Sequence, residues 1–127
     1  MAGVAIVIAL ALIEYSAFVF MCGQARGRFD VAAPSTTGNT TYERYYRVQM
    51  NTVEQLVMFV PGMWMFGTYV STTWAIGLGV IFIVGRALYA RSYLSENPSN
   101  RGPGFLLTLG PNLILVWGGL IGAFRAL

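Results

Sequence analysis

Four apolar stretches set the limits on what this chain can fold into: Ala2 to Cys22, Leu56 to Tyr69 with part of the polar string before it, Trp74 to Tyr93, and Phe105 to Phe124. Crossing a hydrocarbon core of ~30 Å takes about 20 apolar residues at ~1.5 Å each. In lipid every backbone polar group must be satisfied within the protein, so stretches of this kind fold as helices. The chain reads as one domain over residues 1–127, an all-α membrane protein built as a bundle of four transmembrane helices. Its 10 % of charged residues is far below the ~25 % of an average soluble domain. The first stretch has no basic n-region and outruns the roughly 7–15 residues of a signal peptide's apolar region, so it reads as a span.

The net charge of +3 rests on arginine alone, because the chain has neither lysine nor histidine. Without histidine the usual general base and the commonest metal ligand are missing. Cys22 is the single cysteine, so neither an intrachain disulfide nor a multi-thiolate metal site can form. No metal and no nucleic-acid partner is expected. Arg26, Arg28, Arg44 and Arg47 surround the first connection, and Arg86, Arg91 and Arg101 the third. The second connection, Gly67 to Thr73, is uncharged. The positive-inside rule then predicts an integral, multi-pass protein with the first and third connections in the cytoplasm and both termini on the opposite side. Arg125 is the one dissenting charge.

Helix one is predicted from about Ala2 to Ala25, interrupted only by Glu14. The connection Gly27 to Thr41 holds the turn formers Pro34-Ser35-Thr36-Thr37-Gly38-Asn39. Helix two is predicted from near Thr41 to near Tyr69, with a kink at Pro61. Helix three is expected to stop at Asn97-Pro98, since a residue before proline is driven out of the helical region. Ser99 or Asn100 can cap helix four, Pro103 suits its first turn, and Gly118, Gly119 and Gly122 suit close helix approach.

The polar string on helix two carries the chemistry. Arg44, Arg47, Asn51 and Glu54 recur at steps of three and four and so share one helix face, and Glu54 is followed at once by Leu56-Val57-Met58-Phe59-Val60 after a single glutamine. A charge at bilayer depth costs roughly 2.5–3.5 kcal/mol on insertion scales, so such residues survive where they pair or meet a polar ligand. The plainer reading is a solvated helix extension with internal ion pairs. On helix three Arg86, Tyr89 and Tyr93 also share a face, which alone reads as an interfacial belt of arginine and tyrosine. Taken together, guanidinium forks suit carboxylates, phenols donate to oxyanions, and a glutamate takes an ammonium. A ligand carrying carboxylates, an ammonium and amides fits both stripes, and glutathione is one.

The string Glu43-Arg44-Tyr45-Tyr46-Arg47-Val48-Gln49-Met50-Asn51-Thr52-Val53-Glu54 closely resembles the helix-two signature of the membrane-associated proteins in eicosanoid and glutathione metabolism, the MAPEG family. Its core is Arg47, Gln49, Asn51 and Glu54. The resemblance implies a homotrimer with glutathione as co-substrate and a lipophilic electrophile or lipid hydroperoxide as the second substrate, met in membrane lipid. It implies that Arg47, Asn51, Glu54, Tyr89 and Tyr93 bind glutathione, that Arg26 and Gln49 are supplied by a neighbouring subunit, and that Arg101 is the catalytic arginine near the sulfur. Gln55 departs from those members, the leukotriene-forming ones, that carry a tyrosine there. The implied activity is that of a glutathione transferase, with lipid-peroxide reduction as a related activity. Two other readings stand beside it: a noncatalytic, lipid-binding scaffold of the same family, and a proton-coupled small multidrug transporter using Glu14.

Overall fold

A computed structural model describes residues 1–95 and 102–127 and places in them four helices: α1 (Ala2–Arg28), α2 (Thr40–Tyr69), α3 (Thr72–Leu94) and α4 (Gly102–Ala126). α1 runs one turn past the expected Ala25, and Arg26 and Arg28 in its last turn meet the negative end of the helix dipole. Gly38, at φ 113°, turns the chain in the left-handed region that favours glycine. The next residue, Asn39, is extended, and its Oδ1 accepts the Tyr42 N–H at 3.0 Å, which starts α2. α2 continues through Pro61 to Tyr69. Only Val70 and Ser71 separate it from α3, so the two are antiparallel neighbours, and Ser71 Oγ caps α3 by accepting the Trp74 N–H at 3.2 Å.

The end of α3 corrects the expectation. The helix stops at Leu94, before Asn97-Pro98, because Ser95 turns extended and its carbonyl is taken by Arg44 of α2 at 3.1 Å. The Ser95 hydroxyl also donates to the Ser92 carbonyl at 2.6 Å, closing the last turn. Asn97-Pro98 and the expected caps Ser99 and Asn100 lie outside the described residues. Pro103 falls in the first turn of α4, as expected.

α1, α3 and α4 are long and apolar enough to cross a membrane. α2 is not: its apolar part, Leu56 to Tyr69, reaches only about 21 Å at ~1.5 Å per residue, short of ~30 Å. The fourth span read from the sequence therefore has to borrow from the polar string. α1 and α4 each pack on both α2 and α3, α2 packs on α3, and α1 does not touch α4. The cross-section is a rhombus with α2 and α3 on its short diagonal.

That diagonal is the core, where Phe59 stacks on Phe82 with ring centroids 3.9 Å apart among Val7, Met63, Ala75 and Leu115. The α3–α4 contact depends on Gly104, where a Cβ would sit 2.5 Å from the Tyr89 nitrogen. At the other end Gly118, Gly119 and Gly122 lie against the end of α2 from Met65 to Tyr69 and against Val70 just after it, the close approach that the sequence suggests. Large apolar residues such as Ile13, Phe20, Trp117 and Phe124 are exposed on the flanks, a surface suited to lipid or a second subunit.

Candidate functional site

At the end of the bundle where α2 begins and α3 finishes, Arg47, Asn51, Tyr89, Tyr93 and Phe105 line a cavity of about 260 Å³. α2 supplies the first two one turn apart, α3 the tyrosines one turn apart, and α4 closes the wall with Phe105. Tyr89 and Tyr93 stack at 5.5 Å and 22°, with Phe105 6.5 Å from Tyr89. The phenol wall is thus fixed by packing before any ligand arrives.

Arg47 Nη1 donates to Glu54 Oε1 at 2.8 Å, and the two side chains are 46 % and 50 % exposed. At that exposure the pair adds little to stability, as the plainer reading of the stripe holds. Its effect is on charge: the Glu54 carboxylate balances the guanidinium of Arg47, which stays protonated with or without it. Asn51 differs. It is 7 % exposed, and its Oδ1 is fully buried without a protein partner. Leaving such an acceptor unsatisfied costs about 1–3 kcal/mol, so this atom is placed to take a donor from a ligand or a water.

The other members of the stripe and of the expected site lie elsewhere. Arg44 is spent on the end of α3. Within one chain Arg26 does not reach this cavity. It donates to the carbonyls of Val31 at 3.2 Å and Ser35 at 2.7 Å and to the Tyr42 hydroxyl, pinning the first connection onto α2. It also lines a separate cavity of about 370 Å³ with Gly23, Gly27, Asp30, Val31 and Ala32. Gln49 is partly buried on α2 outside the Arg47 cavity, its Nε2 3.9 Å from Met50 Sδ. Arg101 lies outside the described residues.

Two features escape sequence reasoning. Gln55 is buried, and Asn112 Nδ2 donates to both its carbonyl and its Oε1 at 3.1 Å, a polar tie between α2 and α4. Arg86 is fully buried at the centre of the bundle. It donates to Thr52 Oγ1 at 2.9 Å on α2 and to Thr108 Oγ1 at 3.4 Å on α4. Both hydroxyls spend their own protons on carbonyls one turn back, Val48 and Gly104, which turns their lone pairs to the guanidinium. Arg86 also lies 4.4 Å from the centroid of the Tyr89 ring. One residue thus joins all three helices that wall the cavity. Its sequence signal was the shared face with Tyr89, which an interfacial belt explains equally well.

The sequence profile of the MAPEG family matches residues 4–121. The chain is 37 % identical over 126 residues to microsomal glutathione S-transferase 2 of Homo sapiens, an alignment covering 96 % of this chain and 85 % of that protein. It is 43 % identical over 117 residues to an uncharacterised protein of Synechocystis, covering 92 % and 85 %. Leukotriene C4 synthase of Bos taurus is 30 % identical over 79 residues, covering 62 % of this chain and 53 % of that one. The matched stretch reaches into all four helices, and the chain belongs to the MAPEG family.

Proposed function

We propose that the protein is a membrane-embedded glutathione transferase, working as a homotrimer on lipophilic electrophiles. The observation that carries this reading is the α2–α3 cavity, where a protonated guanidinium, two phenols and the unpartnered Asn51 Oδ1 converge on one space. Relatives named as glutathione transferases along nearly the full chain support glutathione as its occupant. Arg47 takes a carboxylate, Asn51 Oδ1 accepts from an amide or ammonium, Glu54 balances charge, and Tyr89 and Tyr93 complete the wall. Arg26 and Gln49 come from the neighbouring subunit, and Arg101 stands at the sulfur.

The reaction needs the thiolate, because the thiol is a poor nucleophile. With a free pKa of about 8.5, only a few per cent of the thiol is ionised at pH 7. A guanidinium at the sulfur lowers that value by roughly 1–3 units, and arginine keeps its charge even when desolvated. The thiolate then forms a C–S bond to an electrophilic carbon reached from the lipid, and the leaving group departs with its electron pair. With a lipid hydroperoxide the thiolate attacks oxygen and the O–O bond breaks. The alkoxide released takes a proton to become the alcohol, and the sulfenic acid left on sulfur condenses with the thiol of a second glutathione, giving the disulfide and water. The site faces the cytoplasm, with the termini on the opposite side.

The test is the purified protein in detergent, titrated with glutathione while thiolate ultraviolet absorbance and conjugation to a reactive aryl halide are followed. A bound thiolate at neutral pH and saturable turnover are expected. A protein that gives neither with glutathione is not a transferase, and the scaffold reading then takes its place.

A further inference from the structure

Arg86 poses a problem that its hydroxyl partners do not solve. A guanidinium with no exposed surface is strongly destabilised unless an opposite charge accompanies it, and Thr52 and Thr108 are neutral. Its Nε–H is buried and has no protein partner. Glu14 is the single acidic residue in α1, α3 and α4. It sits midway along α1, which packs on α3, and its Oε1 is likewise buried without a protein partner. The two groups are close enough for each to feel the other's charge, yet no direct ion pair joins them. The other acid within reach of Arg86 is Glu54, which is half exposed and already held by Arg47. An unmatched donor on a cation and an unmatched acceptor on an anion, on adjoining helices, are the two ends of a water bridge, since a buried water binds where two or more polar atoms converge.

We propose that Glu14 is the counter-ion of Arg86, joined to it by one internal water that accepts from the Nε–H and donates to Oε1. The consequence rests on the glutathione reading of the neighbouring cavity: because Arg86 also holds Thr52, Thr108 and the Tyr89 ring, Glu14 and Arg86 are positioning residues for the phenol wall. α1 lines no part of that cavity, and this pair is how it bears on the site.

The experiment compares the full chain in detergent with Glu14→Gln, Arg86→Gln, the double variant and Arg86→Lys. Each neutralisation strands a charge, so each single variant should lower the thermal midpoint by several degrees, with the double losing clearly less than the sum. A wild-type-minus-Glu14→Gln infrared difference spectrum should show an ionised carboxylate stretch, replaced by a protonated-acid carbonyl stretch in the Arg86→Gln background. Glu14→Gln should raise the KM for glutathione by roughly three- to tenfold with little change in kcat, and Arg86→Lys should retain more glutathione affinity than Arg86→Gln. Additive midpoints, or a protonated-acid band for Glu14 with Arg86 in place, overturn the proposal. Should Arg86→Gln fail to fold, the infrared spectrum of wild type against Glu14→Gln decides alone. A wild type inert towards glutathione would defeat the functional reading while the midpoints and spectra still judge the ion pair.

Discussion

At the scale of single residues, Asn51 is where sequence and structure meet most closely. Its spacing from Arg47 and Glu54 puts all three on one face, and burial then separates it from its exposed neighbours. Asn51→Ala removes a buried acceptor that has no protein partner and should weaken glutathione binding by about 1–3 kcal/mol, read by calorimetry, with the assembly intact. Wild-type affinity in that variant would mean that the stripe is only a solvated helix end. Arg101→Gln should still bind glutathione through the other contacts. Losing the guanidinium raises the folded-site thiol pKa towards its free ~8.5, so turnover at pH 7 should fall roughly ten- to thirtyfold and recover as pH rises through that value. A variant whose bound thiolate titrates with the wild type would clear Arg101 of this role. Arg86 could not be read from the sequence in the same way. Its partners Thr52 and Thr108 stand 34 and 22 residues away, and unremarkable threonines give no signal until the helices meet.

At the scale of helices, the apolar stretches were legible because lipid leaves the backbone no alternative to internal hydrogen bonds. The ends were less so. Proline at 98 marks a barrier, but α3 stops at Leu94 because Arg44, from a different helix, claims the next carbonyl. α2 likewise could not be ranked with the other spans, since its apolar part is too short to cross alone. The α3–α4 contact at Gly104 joins element to site, because the backbone it touches is that of Tyr89. Gly104→Ala should push the two helices apart at about 1–3 kcal/mol, typical of overpacking, and raise the KM for glutathione by moving the phenol wall. A thermal melt and a glutathione titration on the same sample measure both effects. A lowered midpoint with unchanged KM would show that the wall yields without moving the ring.

At the scale of the whole molecule, the apolar flanks and the separate Arg26 cavity are what a second subunit would complete. Cross-linking in detergent should end at a trimer; antiparallel dimers alone would favour the transporter reading with Glu14. For topology, Cys22 is buried and can be replaced by serine to give a thiol-free background. Thr37→Cys in the first connection should then react with an impermeant reagent from the cytoplasmic face and Ser71→Cys from the other. Labelling of both from one face would overturn the arginine-based orientation.

The rhombic cross-section has a consequence for how the chain tolerates change. α1 and α4 share no contact, whereas α2 and α3 touch everything. Pairs of apolar substitutions divided between α1 and α4 should therefore combine additively, while pairs divided between α3 and α4, around Gly85, Gly104 and Leu107, should show strong epistasis. Over long descent the outer helices are free to drift independently of each other, and each is bound to negotiate its changes with the same inner pair.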